Sequence, residues 1–476
     1  MRHERLLPLI VATALFIENM DSTAITTSLP VIAVDLGVEP VSLKLALTTY
    51  MLALAVFIPV SGWVADRFGA RPTFMAAIAV FLLGSLGCAA AGSLGQLVAG
   101  RFVQGVGGAM MVPVGRLVLL RSIPKHQLVQ ALSWLTVPAL LGPMLGPPLG
   151  GLITTYSNWR FIFLINLPIG LLGIWLAWRH IPMLRQPVKP LDWTGFGLSA
   201  SGLALAIFGF STFGRHLVPT WMALGALAGG IGLVGLYVVH SRRHPHPLID
   251  LGLLRLVTFR LGMLGGSLFR IGVGATPFLL PLMLQLGFGL NPLQSGLLTF
   301  TSAAGAMFMK TIAARILKRF GFRRVLVTNA LAASALLCGF GLFRADTPYP
   351  LIIGVLLASG CFRSLQFTSL NAIIYAEVDQ PRMAQASSLA AMAQQVSLAI
   401  GVAIGGYALM TASLATGEPM EAVVNFGFAF LTVGLVSASS VWMMWRLPPD
   451  AGAEMAGHAQ AGKELSDPKA VQRPAT

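Results

Sequence analysis

Of the 17 acidic residues in this chain, only Glu18 and Asp21 lie inside a long apolar run. Three positions apart, they share one face of a helix. Counted from Pro8 at about 1.5 Å per residue, they sit roughly 15–20 Å deep, near the middle of a hydrocarbon layer about 30 Å thick. Ionisable groups at that depth are costly and mark ion or substrate pathways, or else bond to neighbouring helices. A proton carrier there needs its affinity switched, and a cation that approaches in one state and leaves in another does so. Arg101 and Gln104, one helical turn apart in the fourth apolar run, are candidates for that switch.

Two glycine-rich stretches have the composition of moving parts. Gly142-Pro143-Met-Leu-Gly146-Pro147-Pro-Leu-Gly150-Gly151 places small residues every four positions, which lets another helix approach closely, while its prolines loosen the backbone. It reads as plain packing or as a gating helix. Gly62-Trp-Val-Ala-Asp66-Arg67-Phe-Gly69-Ala-Arg71 is a tight turn whose acid and bases can pair with adjacent helix ends, as a latch between states. The second half of the chain carries Arg270 and Arg363 near mid-run, with Gln285, Gln366, Asn371, Gln394 and Gln395. Two deep arginines against two deep acids suggest a balanced interior, in which the arginines are structural partners or hold an anionic part of a substrate. Arg116 and Lys310 lie close enough to run ends to extend toward water.

The elements that must carry these residues are membrane helices. At 55% hydrophobic and 10% charged over 476 residues, the chain lacks the charged surface of a soluble protein. Fourteen runs are long enough to span, with cores near 8–33, 43–65, 73–92, 94–120, 130–154, 161–181, 193–213, 219–240, 260–285, 293–314, 324–343, 348–374, 387–412 and 425–445. The first follows only a short basic leader, is too long for a signal peptide and contains both acids. Of the 32 Lys and Arg residues, Arg101, Arg116, Arg270, Lys310 and Arg363 fall inside runs and only Lys44, Arg160, Arg215 and Arg344 in the connections opposite the N-terminus. The remainder share the N-terminal side, so both termini are expected to be cytoplasmic. Topology thereby accounts for the net charge of +15, and nucleic acid is not expected as a partner.

Arg67-Phe-Gly-Ala-Arg71 recurs as Arg319-Phe-Gly-Phe-Arg323, on the same expected side, which points to a parallel repeat. The resulting division is a six-helix bundle over 1–185, two additional helices over 186–245, a second six-helix bundle over 246–446 and a disordered tail over 447–476. Cys88, Cys338 and Cys361 are scattered through apolar runs and read as small buried hydrophobes. His240, His244 and His246 cluster in a Pro-rich connection, where no metal is expected. No phosphate-binding loop occurs, and Gly462-Lys463 is followed by Glu464 in the tail, so ATP hydrolysis is not expected. An intramembrane enzyme would need a nucleophile with a base, or a metal cluster, at compatible depths; no histidine lies deep in a run.

These residues resemble the major facilitator superfamily, specifically its 14-span drug:proton antiporter branch of the EmrB/QacA type. Gly62 to Arg71 resembles the superfamily's signature cytoplasmic loop, Arg101-Phe-Val-Gln104-Gly105-Val-Gly-Gly its fourth-span coupling motif, and Gly142 to Gly151 its fifth-span antiporter motif. Leu29-Pro30 after Asp21, Trp159-Arg160 through Asn166-Leu-Pro168, Leu191-Asp192-Trp-Thr-Gly195 and Pro247-Leu-Ile-Asp250-Leu suggest the branch. Gly107-Gly-Ala-Met-Met-Val-Pro-Val-Gly-Arg116 is similar to its MdtD-like members. The chain departs from the branch in Glu18 and in Asp21-Ser-Thr-Ala-Ile, where a lone Asp followed by Thr-Ile-Val is usual.

The resemblance implies an all-α integral membrane protein of two six-helix bundles that rock about a midplane cavity, with the extra pair peripheral. It implies a monomeric inner-membrane exporter that needs no cofactor, is driven by the proton gradient, and has protons, lipid and a small amphipathic molecule as its partners. Asp21 and Glu18 would carry protons, Arg101 and Gln104 would tune them, and the glycine motifs would govern the switch. Arg270, Arg363, Gln285, Gln366 and Asn371 would contact substrate. Export of a specific metabolite or organic anion is the alternative.

Overall fold

The computed structural model describes residues 3–122, 125–185, 190–212, 219–245, 247–379 and 382–452, with side chains for all of these except 3–6, 120 and 125–140. The described chain forms fourteen long helical elements. We label them α1 Leu7–Asp35, α2 Pro40–Phe68, α3 Ala70–Ala89, α4 Leu94–Ser122, α5 Lys125–Tyr156, α6 Phe161–His180 and α7 Trp193–Thr212. These are followed by α8 Thr220–Arg243, α9 Val257–Gly287, α10 Pro292–Phe320, α11 Phe322–Leu342, α12 Tyr349–Ile373, α13 Met383–Thr416 and α14 Val423–Trp445. Thirteen are long and apolar enough to cross a bilayer. The remaining one, α5, is a continuous helix of 32 residues.

Elements α1 to α6 pack among themselves, with α3 against α4, α1 against α5 and α2 against α4. Elements α9 to α14 do the same through α10 with α12, and α14 with α9 and α11. The halves meet along α5 with α10 and α2 with α13. The extra helices α7 and α8 pack on each other, and α7 rests on α2 and α13 at the side of this seam.

The repeat is visible in the backbone. Gly69 links α2 to α3 at φ 102° and Gly321 links α10 to α11 at φ 75°, conformations that only glycine adopts freely, at equivalent places in the two halves. A second correspondence lies deeper, where both leading helices are interrupted. In α1 the turn Ile25–Ser28 tightens to a 3-10 helix just before Pro30, whose ring removes an N–H donor. In α9 the helix breaks at Ala275 ahead of Pro277, and after Pro281 it widens to a π-turn over Met283–Gly287. Interrupted helices at matching positions of two repeats frame binding sites in transporters.

Residues 447–452, expected to belong to the disordered tail, are instead packed against the second half. Leu447 is 1% exposed and Ala451 9%, and Gly452 lies against Phe322 and Ile373, because these apolar residues close the end of the second half. Residues 453–476, including Gly462-Lys463-Glu464, lie outside the described residues, as do His246 and Arg215.

Candidate functional site

The site begins at Asp21, which precedes the irregular turn of α1 and is fully buried. Its Oδ2 forms an ion pair with the guanidinium of Arg101 from α4. Its Oδ1 accepts hydrogen bonds from Asn166 Nδ2 of α6 at 2.7 Å and from Gln104 Nε2 at 3.2 Å. Gln104 also donates to Ser85 Oγ of α3 at 2.7 Å and accepts from Arg101 Nη1 at 2.8 Å. Two helices, α4 and α6, therefore aim three donor side chains at one carboxylate, and Asp21, Arg101, Gln104, Ser85 and Asn166 are all 0% exposed. A buried charge is tolerated only when paired and hydrogen-bonded in this way.

Glu18 lies one turn earlier and has a different neighbour. The hydroxyl of Tyr50 from α2 donates to its Oε1 at 3.2 Å, while the Arg101 guanidinium stacks 4.2 Å above the Tyr50 ring. Tyr50 thus connects the two acids through Arg101. Aromatic stacking suits the weakly hydrated guanidinium and leaves its planar fork for Asp21. The acids and Arg101 with Gln104 were expected from sequence. Tyr50, Ser85 and Asn166 were not assigned to this cluster, although a lone Asn within the sixth apolar run was a visible signal.

The glycine stripe of α5 follows α1 past this cluster. A Cβ at Gly142 would meet the Phe16 carbonyl at 2.9 Å, one at Gly146 would collide with Thr23, and one at Gly150 with the Ala24 carbonyl. Gly151 points the other way, where a Cβ would meet Leu293 of α10 at 2.8 Å. Pro147 is shared between the two contacts. Its carbonyl accepts from Thr27 Oγ1 at 3.3 Å, and its backbone abuts Gly296 of α10. One helix therefore touches both the acid-bearing helix and the opposite half.

Further bonds join the halves at the end opposite the N-terminus. Gln285 Nε2 donates to the Thr27 carbonyl at 2.8 Å and Leu293 N to Thr155 Oγ1 at 3.2 Å. Lys44, read from sequence as a loop residue, is instead fully buried with its ammonium 4.0 Å from the Tyr407 ring of α13. The Tyr407 hydroxyl donates to the Phe210 carbonyl, which links the extra pair to the same seam. Within the first half, Arg160 pairs with Asp35 at 2.7 Å.

At the N-terminal end, Asp66 pairs with Arg121 at the end of α4 at 2.7 Å. Arg185 Nε donates to the Phe68 carbonyl at 3.1 Å and Ala70 N to the Leu184 carbonyl, which fastens the Gly69 turn to the chain leaving α6. Arg67 is exposed and Arg71 half-buried. A Cβ at Gly62 would meet nothing.

The second half does not supply a counterpart to the acids. Arg270 is 3% exposed, donates to Asn371 Oδ1 at 2.9 Å and lies over Phe367, while its Nε has no hydrogen-bond partner. Arg363 donates to Ser302 Oγ at 3.3 Å. Ion pairs among the described residues include neither arginine. Gln366 turns into the helix packing, accepting from Asn329 at 2.9 Å and donating to the Leu326 carbonyl at 3.2 Å. The structure brings Arg270 and Asn371 together, but holds Gln285 in the seam and Gln366 within the second half.

The sequence profile of the Major Facilitator Superfamily matches residues 11–239 and 262–473. The chain belongs to this superfamily. It is 38% identical over 451 residues to the protein named "Putative multidrug resistance protein MdtD" from Salmonella heidelberg, a match spanning 94% of this chain and 95% of that one. The same figures hold for the protein of that name from Salmonella typhimurium. Among solved structures, a D-xylose-proton symporter superposes with a TM-score of 0.70 at 15% identity, covering 94% of this chain and 98% of the symporter. The POT family transporter PepTSo superposes with a TM-score of 0.68 at 14% identity over 97% and 99% of the two chains. At these identities the structures establish the fold alone. The chain is a multi-pass membrane transporter homologous to the MdtD proteins, in a superfamily that moves small molecules and does not act by enzymatic catalysis.

Proposed function

We propose that this chain is a proton-coupled antiporter that exports drugs or other amphipathic small molecules across the bacterial inner membrane, with both termini in the cytoplasm and working as a monomer. The observation that carries the reading is the buried Asp21–Arg101–Gln104 cluster beside the interrupted turn of α1. A proton arriving on Asp21 competes with Arg101 for the same carboxylate oxygen. Once displaced, the guanidinium moves with α4 or turns across the Tyr50 ring it already covers toward Glu18, and the α1–α5 contact is free to change. Substrate binding that separates the same pair releases the proton. Coupling of this kind needs no further cofactor, since the proton gradient drives it. On the expected topology the seam bonds of Gln285 and Leu293 lie on the periplasmic side.

The test is substrate-triggered proton movement in proteoliposomes, challenged with lipophilic cations, neutral drugs and organic anions. Flux in the wild type that is lost in Asp21→Asn supports antiport through Asp21. Flux that survives unchanged overturns that assignment, and silence across the panel overturns proton-coupled drug export.

A second reading rests on buried Arg270 and half-buried Arg363, neither of which is ion-paired to a carboxylate among the described residues. They favour export of a specific metabolite or organic anion by the same cycle. In that case the anions of the panel, and not the cations, elicit flux.

A further inference from the structure

The extra helix pair carries a cluster outside the transport pathway. Asp192 immediately precedes α7 and is 5% exposed. Its Oδ1 accepts from the Gly195 amide at 2.8 Å and lies 2.9 Å from His240 Nε2 of α8, while its Oδ2 accepts from the Leu248 amide at 3.4 Å. His244 follows His240 by one turn and ends α8, its ring centroid 5.2 Å from that of His240 at a tilt of 31°. One donor atom from each of Asp192, His240 and His244 lies within 4.8 Å of the other two.

The donor chemistry is specific. Two imidazoles spaced four residues apart present nitrogen atoms on one helix face, and a carboxylate from another helix adds an oxygen. Zinc-type ions take such mixed nitrogen and oxygen sets in tetrahedral geometry with bonds of about 2.0–2.2 Å, whereas magnesium and calcium prefer all-oxygen shells. Ligand atoms around such an ion are roughly 3.5 Å apart, so the side chains need close by only about an ångström. Burial pushes the Asp192 carboxyl up, but the bonds from Gly195, His240 and Leu248 outweigh it and hold the carboxyl below its usual range. Both imidazoles remain partly open to solvent, which leaves a route for the ion and for a water ligand.

We propose that Asp192, His240 and His244 bind a zinc-type divalent ion, with water in the fourth position, clamping α7 and α8 to the segment that leads into the second half. That segment is already stitched to α8, since the Tyr237 hydroxyl donates to the Ile249 carbonyl at 3.1 Å and accepts from the Ile249 amide at 2.9 Å. The histidine pair alone did not reveal the site from sequence, because the third ligand lies 48 residues upstream of His240. The competing arrangement is an Asp192–His240 hydrogen bond that holds the helices without metal.

The experiment uses the full chain in detergent, purified on a tag that contains no histidine and stripped with chelator. Titration with Co²⁺ is expected to give the visible absorption of a tetrahedral complex at one equivalent, displaced by Zn²⁺, with Zn²⁺ raising the melting temperature. Outer-shell changes at metal sites already cost about 10–100-fold in affinity, so His244→Ala should lose at least tenfold and the tetrahedral spectrum. Asp192→Asn, which keeps an acceptor for the Gly195 amide, should do the same while retaining the fold. No tetrahedral cobalt spectrum in the wild type overturns the proposal, as does unchanged affinity in both variants.

Discussion

Gln285 donates to the carbonyl of Thr27 across the seam, 2.8 Å away, so that the π-turn of α9 is bonded to the 3-10 turn of α1. An irregular turn leaves backbone groups that a regular helix would pair internally, and here the Gln285 side chain bonds one such carbonyl of α1. Gln285→Leu removes one neutral hydrogen bond worth about 1 kcal/mol, or roughly a five-fold change in the balance between joined and separated halves. A cysteine placed at Ser295, fully buried on α10 next to the Gly296–Pro147 contact between the halves, should react a few-fold faster with an impermeant maleimide in this variant. An unchanged labelling rate would show that Gln285 does not hold the halves together.

The buried ion pair makes a prediction that separates stability from transport. Asp21→Asn leaves the fully buried Arg101 without its charge partner, which costs on the order of 3–5 kcal/mol. Adding Arg101→Gln should recover most of the lost melting temperature but none of the proton flux. If the double variant melts no higher than the single one, Arg101 is not the group left stranded.

The two glycines of the Gly62–Arg71 stretch should behave differently despite their shared motif. Gly69 sits at φ 102°, where a side chain is strained by about 1–2 kcal/mol, and Arg185 and Met183 crowd the place a Cβ would occupy. Gly62 has neither constraint. Gly69→Ala should lower the melting temperature and slow transport, while Gly62→Ala should match the wild type in melting. Equal melting effects would contradict the turn geometry.

Along α5 the expected cost is overpacking. Gly146→Ala places a methyl on Thr23 and should destabilise by about 1–3 kcal/mol, with partial rescue by Thr23→Ala. Denaturation of the single and double variants checks this coupling. Additive effects would mean that the two positions do not meet.

Arg270 offers a test of substrate charge. Its unpaired Nε and its single bond to Asn371 leave it able to take a carboxylate. Should organic anions compete for transport, Arg270→Gln should weaken that competition about tenfold or more and leave lipophilic cations unaffected. Equal weakening of both classes would assign Arg270 to packing.

Sequence made the membrane helices legible because burial in lipid demands about 20 apolar residues per span and leaves charge only between them. The helix bounds fall within a few residues of the runs, as with 161–181 against Phe161–His180. Asp21, Arg101 and Gln104 stood out because ionisable and amide groups are rare at that depth. Ser85 and Tyr50 were hidden, since serine and tyrosine are common in spans and only the packing of α3 and α2 against α4 and α1 selects these copies. Lys44 misled in the opposite direction. Its position next to a connection suggested solvent, but the ring of Tyr407, more than 360 residues later, covers it. Gln366 looked like a pocket residue for the same reason that Asn371 did, and the rotation of α12 turns it inward to Asn329.

The neutrality of the buried Asp21–Arg101 pair depends on Asp21 remaining ionised. On the proposed cycle, a proton on Asp21 cancels the carboxylate and leaves the guanidinium charge uncompensated within the membrane. The protonated carrier is then one charge more positive than the empty one. If that charge traverses the membrane as the halves rock, a potential of 100 mV supplies about 2.3 kcal/mol to the reorientation, whatever the charge of the cargo. The protein's own electrical work would make export of an uncharged compound respond to voltage even when no pH difference exists.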